Sequence, residues 1–152
     1  MALPVAEEYD FRMCPEIHVP TALKSKMVDD YINFIEKTGT RNFGINIDFS
    51  VFNKKPMAIP GMKFTPSTPE EMIPYLKYTY CCHAKFSHMK DDLTEENIPY
   101  DEIIKILVDQ KWEGYLLSEF EDYEGGTGSI PDHASDQVRR QHVMMKRLLG
   151  EV

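Results

Sequence analysis

Four times in succession, a short apolar segment ending in polar residues is followed by a segment of helical periodicity. No other feature restricts the fold of this 152-residue chain so severely. The apolar segments are Phe11 to His18, Asn42 to Phe49, Thr79 to Phe86 and Gly114 to Glu121, and their composition and alternation predict strands. The helical segments are Ser25 to Thr38, Thr68 to Lys77, Tyr100 to Lys111 and Ser135 to Leu149. In the first, Met27, Tyr31, Phe34 and Ile35 share a face that Gly39 ends. Pro74 makes the second short or kinked. In the third the apolar positions are Ile103, Ile104 and Leu107, and in the fourth Val138, His142, Met145 and Leu149. Strict alternation of strand and helix predicts parallel strands joined by crossover helices, in one α/β domain over residues 1–152.

Each strand closes on two polar residues at i and i+2: Glu16 and His18, Asn46 and Asp48, His83 and Lys85, Glu119 and Glu121. Residues two apart point to the same side of a strand. The steps from Glu16 to Asp48, to His83 and to Glu119 are 32, 35 and 36 residues, each about the length of a strand–helix unit. These residues therefore hold equivalent places in consecutive units. A single carboxylate at a strand end is usually a cap or a surface group. Four inward polar ends in register are costly unless they share a partner. Three carboxylates and an imidazole suit a divalent ion such as manganese, magnesium or zinc, and carboxylate-rich ligation leans toward the harder ions. Glu16, Asp48, His83 and Glu119 are the candidate ligands. His18 and Lys85 are candidates for proton handling. Asn46, Glu121 and Arg139 are candidates for substrate contact.

The loops Ser50 to Ser67, Ser87 to Pro99 and Asp122 to Ala134 all follow strand C-terminal ends, where α/β folds place functional segments. With 17 basic and 25 acidic residues the net charge is −8, which argues against nucleic acid as the main partner. The sequence predicts neither a membrane span nor a signal peptide. Cys14, Cys81 and Cys82 form no CxxC pair and read as reduced strand residues of a cytoplasmic protein.

The stretches CPEIHVPT (14–21), GINIDF (44–49), HAKF (83–86) and LSEFE (117–121), with the closing DQVRRQHVMMKRLLG, resemble the sugar phosphate isomerase/epimerase group, whose members are xylose-isomerase-like barrels. A narrower resemblance, through the Glu16-Ile17-His18 motif and PSTPEEM (66–72), is to the larger subunit of bacterial C-glycoside deglycosidases. The resemblance implies a manganese-type ion on Glu16, Asp48, His83 and Glu119. It implies His18 as general acid or base and an oxidised sugar or glycoside as substrate. Carbon–carbon bond cleavage through a metal-stabilised enediolate is the implied reaction. A sugar (phosphate) isomerase or epimerase and a non-catalytic half-barrel are the alternatives. Such barrels hold eight units over about 250 residues. This chain reads as the last four, with LPVAEEYD (3–10) the tail of a preceding helix. The expected partners are a chain supplying the first half of the barrel and possibly a further small subunit.

Overall fold

In a computed structural model, described for residues 2–54, 64–121 and 133–151, the four predicted strand–helix units are present. The strands are β1 (Glu16–Ile17), β2 (Ile45–Asp48), β3 (Thr79–Phe86) and β4 (Tyr115–Phe120). The α-helices are α1 (Leu3–Glu8), α2 (Lys26–Thr38), α3 (Tyr100–Asp109) and α4 (His133–Leu148). The strands form one sheet in the order β1-β2-β3-β4, with every pairing parallel. The chain thus folds as half of a (β/α)8 barrel. Parts of the loops at 50–67 and 122–134 lie outside the described residues. Among the described residues no helix is long and apolar enough to cross a membrane.

Local chemistry sets the element ends. The Ser25 hydroxyl accepts from the Val28 N–H and starts α2, which Gly39 ends at φ 65. Pro74 removes an amide donor from the segment after β2, and Pro69–Tyr78 winds as a 3-10 helix rather than the α-helix expected there. Only Glu16–Ile17 of the first predicted strand enters the ladder. Upstream, a single bridge joins Met13 to Phe43.

The sheet has two unlike faces. Ile17, Ile45, Ile47, Cys82, Ala84 and Phe86 are buried in a core shared with Val28, Met72, Leu76, Ile103, Ile104, Leu107, Met144 and Met145. The buried face of α4 is Gln137, Gln141, Met144 and Met145, about one residue away from the face expected from Val138, His142, Met145 and Leu149. Two glutamines take core positions because they have work for their amides. Gln137 Oε1 accepts from the Met89 N–H at 2.6 Å, and Gln141 Nε2 donates to the Ala84 carbonyl at 2.6 Å. His142 is exposed and lies 2.8 Å from Ser118 Oγ through Nε2. In α2 the packed residues are Val28, Tyr31 and Ile32, while Met27 and Phe34 are exposed.

The opposite, inner face carries the polar strand ends together with Tyr115 and Leu117, which are 73% and 48% exposed. A closed barrel buries this face. The β2–β3 register slips between Ile45 and Asn46, leaving Tyr80 as the extra residue. The Tyr80 ring lies against Gly44, where a Cβ would stand 2.4 Å from the ring and 2.7 Å from the Tyr78 carbonyl oxygen. Gly44→Ala is expected to destabilise the chain by about 1–3 kcal/mol, because backbone cannot move aside as a side chain can. Thermal melting checks this, and an unchanged Tm would show that the bulge yields.

Candidate metal centre

Strand register brings the predicted ligands together in a way their sequence positions alone do not reveal. Glu16 pairs with Asn46, Asp48 with His83, and Lys85 with Glu119. The four ligands are therefore not at one level. They climb by two residues between β1 and β2 and again between β3 and β4, the stagger of a tilted barrel sheet. The same stagger explains the i+2 companions, since Asn46 sits level with Glu16 and Lys85 level with Glu119.

One ligand atom from each of Glu16, Asp48, His83 and Glu119 lies within 4.8 Å of all the others. His83 Nδ1 is 2.5 Å from Glu16 Oε1, 2.9 Å from Glu119 Oε2 and 4.0 Å from Asp48 Oδ2. Bond lengths of about 2.0–2.4 Å place two ligands of one ion at most about 4–5 Å apart, so the cluster has the span of a divalent centre. Asp48 has no solvent exposure. Its Oδ1 accepts from the Ser50 N–H at 2.6 Å as the cap of the 3-10 turn Phe49–Phe52, while its Oδ2 has no hydrogen-bond partner. A buried carboxylate oxygen aimed at two further carboxylates and an imidazole is costly unless a cation answers it. The donor set therefore fits a divalent ion of the harder type.

The electrostatics agree. Burial pushes the Asp48 carboxyl up to about 7, and the Glu119 carboxylate adds to this against the opposing pull of Ser50 and Lys85. Burial also works to raise Glu119, but the bond and charge of Lys85, with Asp48 and His83 adding to them, hold that carboxyl below its ordinary value. Burial thus favours the protonated form of Asp48, while Lys85 favours the ionised form of Glu119.

Lys85 Nζ lies 2.6 Å from Glu119 Oε1, 2.6 Å from Glu121 Oε2 and 4.0 Å from Asp48 Oδ2. Asn46 is buried on the face of β2 that carries Asp48, and its Oδ1 has no hydrogen-bond partner. His18 stands exposed just beyond β1. Its neighbours are pinned: the His18 carbonyl accepts from the Thr21 N–H at 2.8 Å, and Ser50 Oγ accepts from the Val19 N–H at 3.3 Å. Arg139 is not brought to the cluster. It projects from α4, and its guanidinium donates to Asp136 at 2.8 Å.

Three supporting residues escaped the sequence reading. Ser50 donates its backbone N–H to Asp48, which caps the turn, a pairing visible in Asp48-Phe49-Ser50 as an aspartate at a strand end two residues before the amide it accepts from. Tyr100 Oη donates to the Lys85 carbonyl at 2.9 Å, and Gln141 Nε2 is 2.7 Å from Tyr100 Oη. These last two steady the end of β3 from α3 and α4, and no local sequence signal announces them. Cys14, Cys81 and Cys82 are free thiols. Burial pushes the Cys14 thiol up to about 11, with Cys81 adding to it, so it is a poor nucleophile.

No family model matches the chain. It is 28% identical over 89 residues to the 3'-dehydrocarminate deglycosidase alpha subunit of a Microbacterium species, a match spanning 59% of this chain and 25% of that protein. Among solved structures, it is similar to D-psicose 3-epimerase from Clostridium cellulolyticum H10 with D-tagatose. The TM-score is 0.50 at 15% identity, covering 97% of this chain and 50% of the other. A D-psicose 3-epimerase structure in the presence of D-fructose gives a TM-score of 0.57 at 12% identity, covering 98% and 53%. The chain therefore spans about half of the epimerase chains and a quarter of the deglycosidase subunit.

Proposed function

We propose that this chain is the metal-carrying half of a barrel enzyme that converts oxidised sugars or glycosides, with cleavage of a C-glycosidic carbon–carbon bond as its reaction. The observation that carries this reading is the convergence of Glu16, Asp48, His83 and Glu119 within 4.8 Å at the ends of four parallel strands. The resemblance to a deglycosidase alpha subunit supports the choice of reaction. Glu16, Asp48, His83 and Glu119 would hold a divalent ion, with manganese favoured. Such an ion supplies Lewis acidity beside a sugar carbonyl.

The chain's own residues then divide the remaining work. His18, on a loop pinned to Ser50, takes the proton from the carbon next to the ketone. The electron pair left on that carbon forms a double bond to the anomeric carbon, whose bond to the aglycone breaks with its electrons leaving on the aglycone carbon, and that carbon takes up the proton that His18 removed. Asn46, with its buried amide beside Glu16, and Glu121, on Lys85, would orient sugar hydroxyls. Four further strand–helix units, on this polypeptide or on a partner chain, close the barrel over this face.

A second reading is a ketose epimerase or isomerase, favoured by the likeness of fold to D-psicose 3-epimerases. The protein, with any chain that co-purifies, is incubated with Mn2+ and either a 3-oxo-C-glucoside or a free ketose. Release of aglycone, reduced about 100-fold or more by His18→Ala, is the expected result. Epimerisation of the ketose without aglycone release would establish the second reading, and inertness toward both would overturn both.

A further inference from the structure

We infer that Lys85 is a positioning residue that holds Glu119 to a single ligating oxygen, and that the affinity of the metal centre depends on it. The inference rests on the metal-centre reading above. Glu119 has two oxygens with different occupations. Its Oε1 is held by Lys85 Nζ at 2.6 Å, whereas its Oε2 faces His83 Nδ1 at 2.9 Å. Lys85 is itself fixed. Its side chain is only 12% exposed, its ammonium also meets Glu121 Oε2 at 2.6 Å, and its carbonyl accepts from Tyr100 Oη. Asp48 is treated in the same way by other means, its Oδ1 taken by the Ser50 N–H. Two of the three carboxylates in the cluster therefore have one oxygen committed before any ion arrives. Each offers the other oxygen alone. Such a set leaves coordination positions open for a two-oxygen ligand such as the neighbouring carbonyl and hydroxyl of a keto sugar.

Charge alone argues for the opposite effect, which makes the test sharp. An ammonium close to a divalent ion repels it, so removing that charge should by itself tighten ion binding. Weaker binding on loss of Lys85, accompanied by a move of Glu119 to two-oxygen ligation, marks lost orientation of Glu119. Groups that orient a metal ligand typically change affinity by about 10–100-fold when removed.

The experiment is a Mn2+ titration followed by electron paramagnetic resonance, on the protein with any co-purifying chain. Wild type, Lys85→Met and Lys85→Arg are compared, and thermal melting confirms that each is folded. The expected result is about 10–100-fold weaker Mn2+ binding for Lys85→Met, with most of the loss restored by Lys85→Arg. Infrared spectra of the Mn2+-loaded Lys85→Met protein should show a carboxylate band shifting toward two-oxygen ligation. Binding by Lys85→Met as tight as wild type, or tighter, overturns the inference alone. Wild-type protein that binds no Mn2+ overturns the metal-centre reading and this inference with it. Should Lys85→Met not fold, Glu121→Gln reads the same restraint from its other end, and unchanged Mn2+ affinity there overturns the inference.

Discussion

Asp48→Asn is expected to abolish stoichiometric binding of a divalent ion and, in the same protein, to raise the Tm of the ion-free form above pH 7. The two effects have one cause. Asp48 is fully buried, its Oδ2 lacks a hydrogen-bond partner, and burial pushes its carboxyl up to about 7. An aspartate in the unfolded chain ionises near 4. Between these values the unfolded chain has lost its proton and the folded chain has kept it. The relative stability present at low pH is therefore lost as pH rises through about 7. The loss is on the order of a few kcal/mol at most. Asparagine escapes it. Its carbonyl oxygen still accepts from the Ser50 N–H, and its amide donates toward the Glu119 carboxylate. Elemental analysis measures the first effect, and melting curves at pH 5.5 and pH 8 in chelator the second. A variant that melts below wild type at pH 8, or that retains the metal, would contradict this account of Asp48.

The second large effect concerns closure of the sheet. Studied without four further strand–helix units, the chain is expected to self-associate rather than persist as a monomer. Among the described residues, β4 forms one edge of the sheet beside exposed Tyr115 and Leu117, with Val108 exposed on α3 and Leu149 just after α4. At the other end lie β1 and the exposed Val5, Tyr9 and Phe11. Two open edges beside apolar side chains invite pairing with another chain. Sedimentation velocity across a concentration series, with a hydrophobic dye as a second probe, should show association. Adding the complementary half should suppress it. A concentration-independent monomer with a cooperative melt would mean that the inner face is tolerated open.

Much of this arrangement was legible in the residues, and the reason is geometric. The i, i+2 pairs at strand ends declare a shared face, and the spacing of 32 to 36 residues declares a repeated unit. His83 and Asp48 therefore meet for reasons visible along the chain. Register was not visible, because the Tyr80 bulge and the two-residue stagger depend on how neighbouring strands slide. The face of α4 was misplaced because apolar periodicity cannot recognise Gln137 and Gln141 as core residues. Their burial follows from the Met89 amide and Ala84 carbonyl that they satisfy. The 3-10 winding of Pro69–Tyr78 was signalled by Pro74 only as a disturbance, not by kind. Arg139 meets Asp136 one helical turn away, a pairing that the spacing of the two residues on α4 makes legible.

All four proposed ligands reside on one four-stranded sheet, and this has an evolutionary consequence. On the proposed function, substitutions elsewhere in a completed barrel would reshape a substrate pocket without altering the residues that would hold the ion. Ion retention and substrate choice then answer to separate stretches of sequence. On that reading, related chains would diverge in substrate while Glu16, Asp48, His83 and Glu119 stay fixed, and recombination between halves would be a route to new specificity.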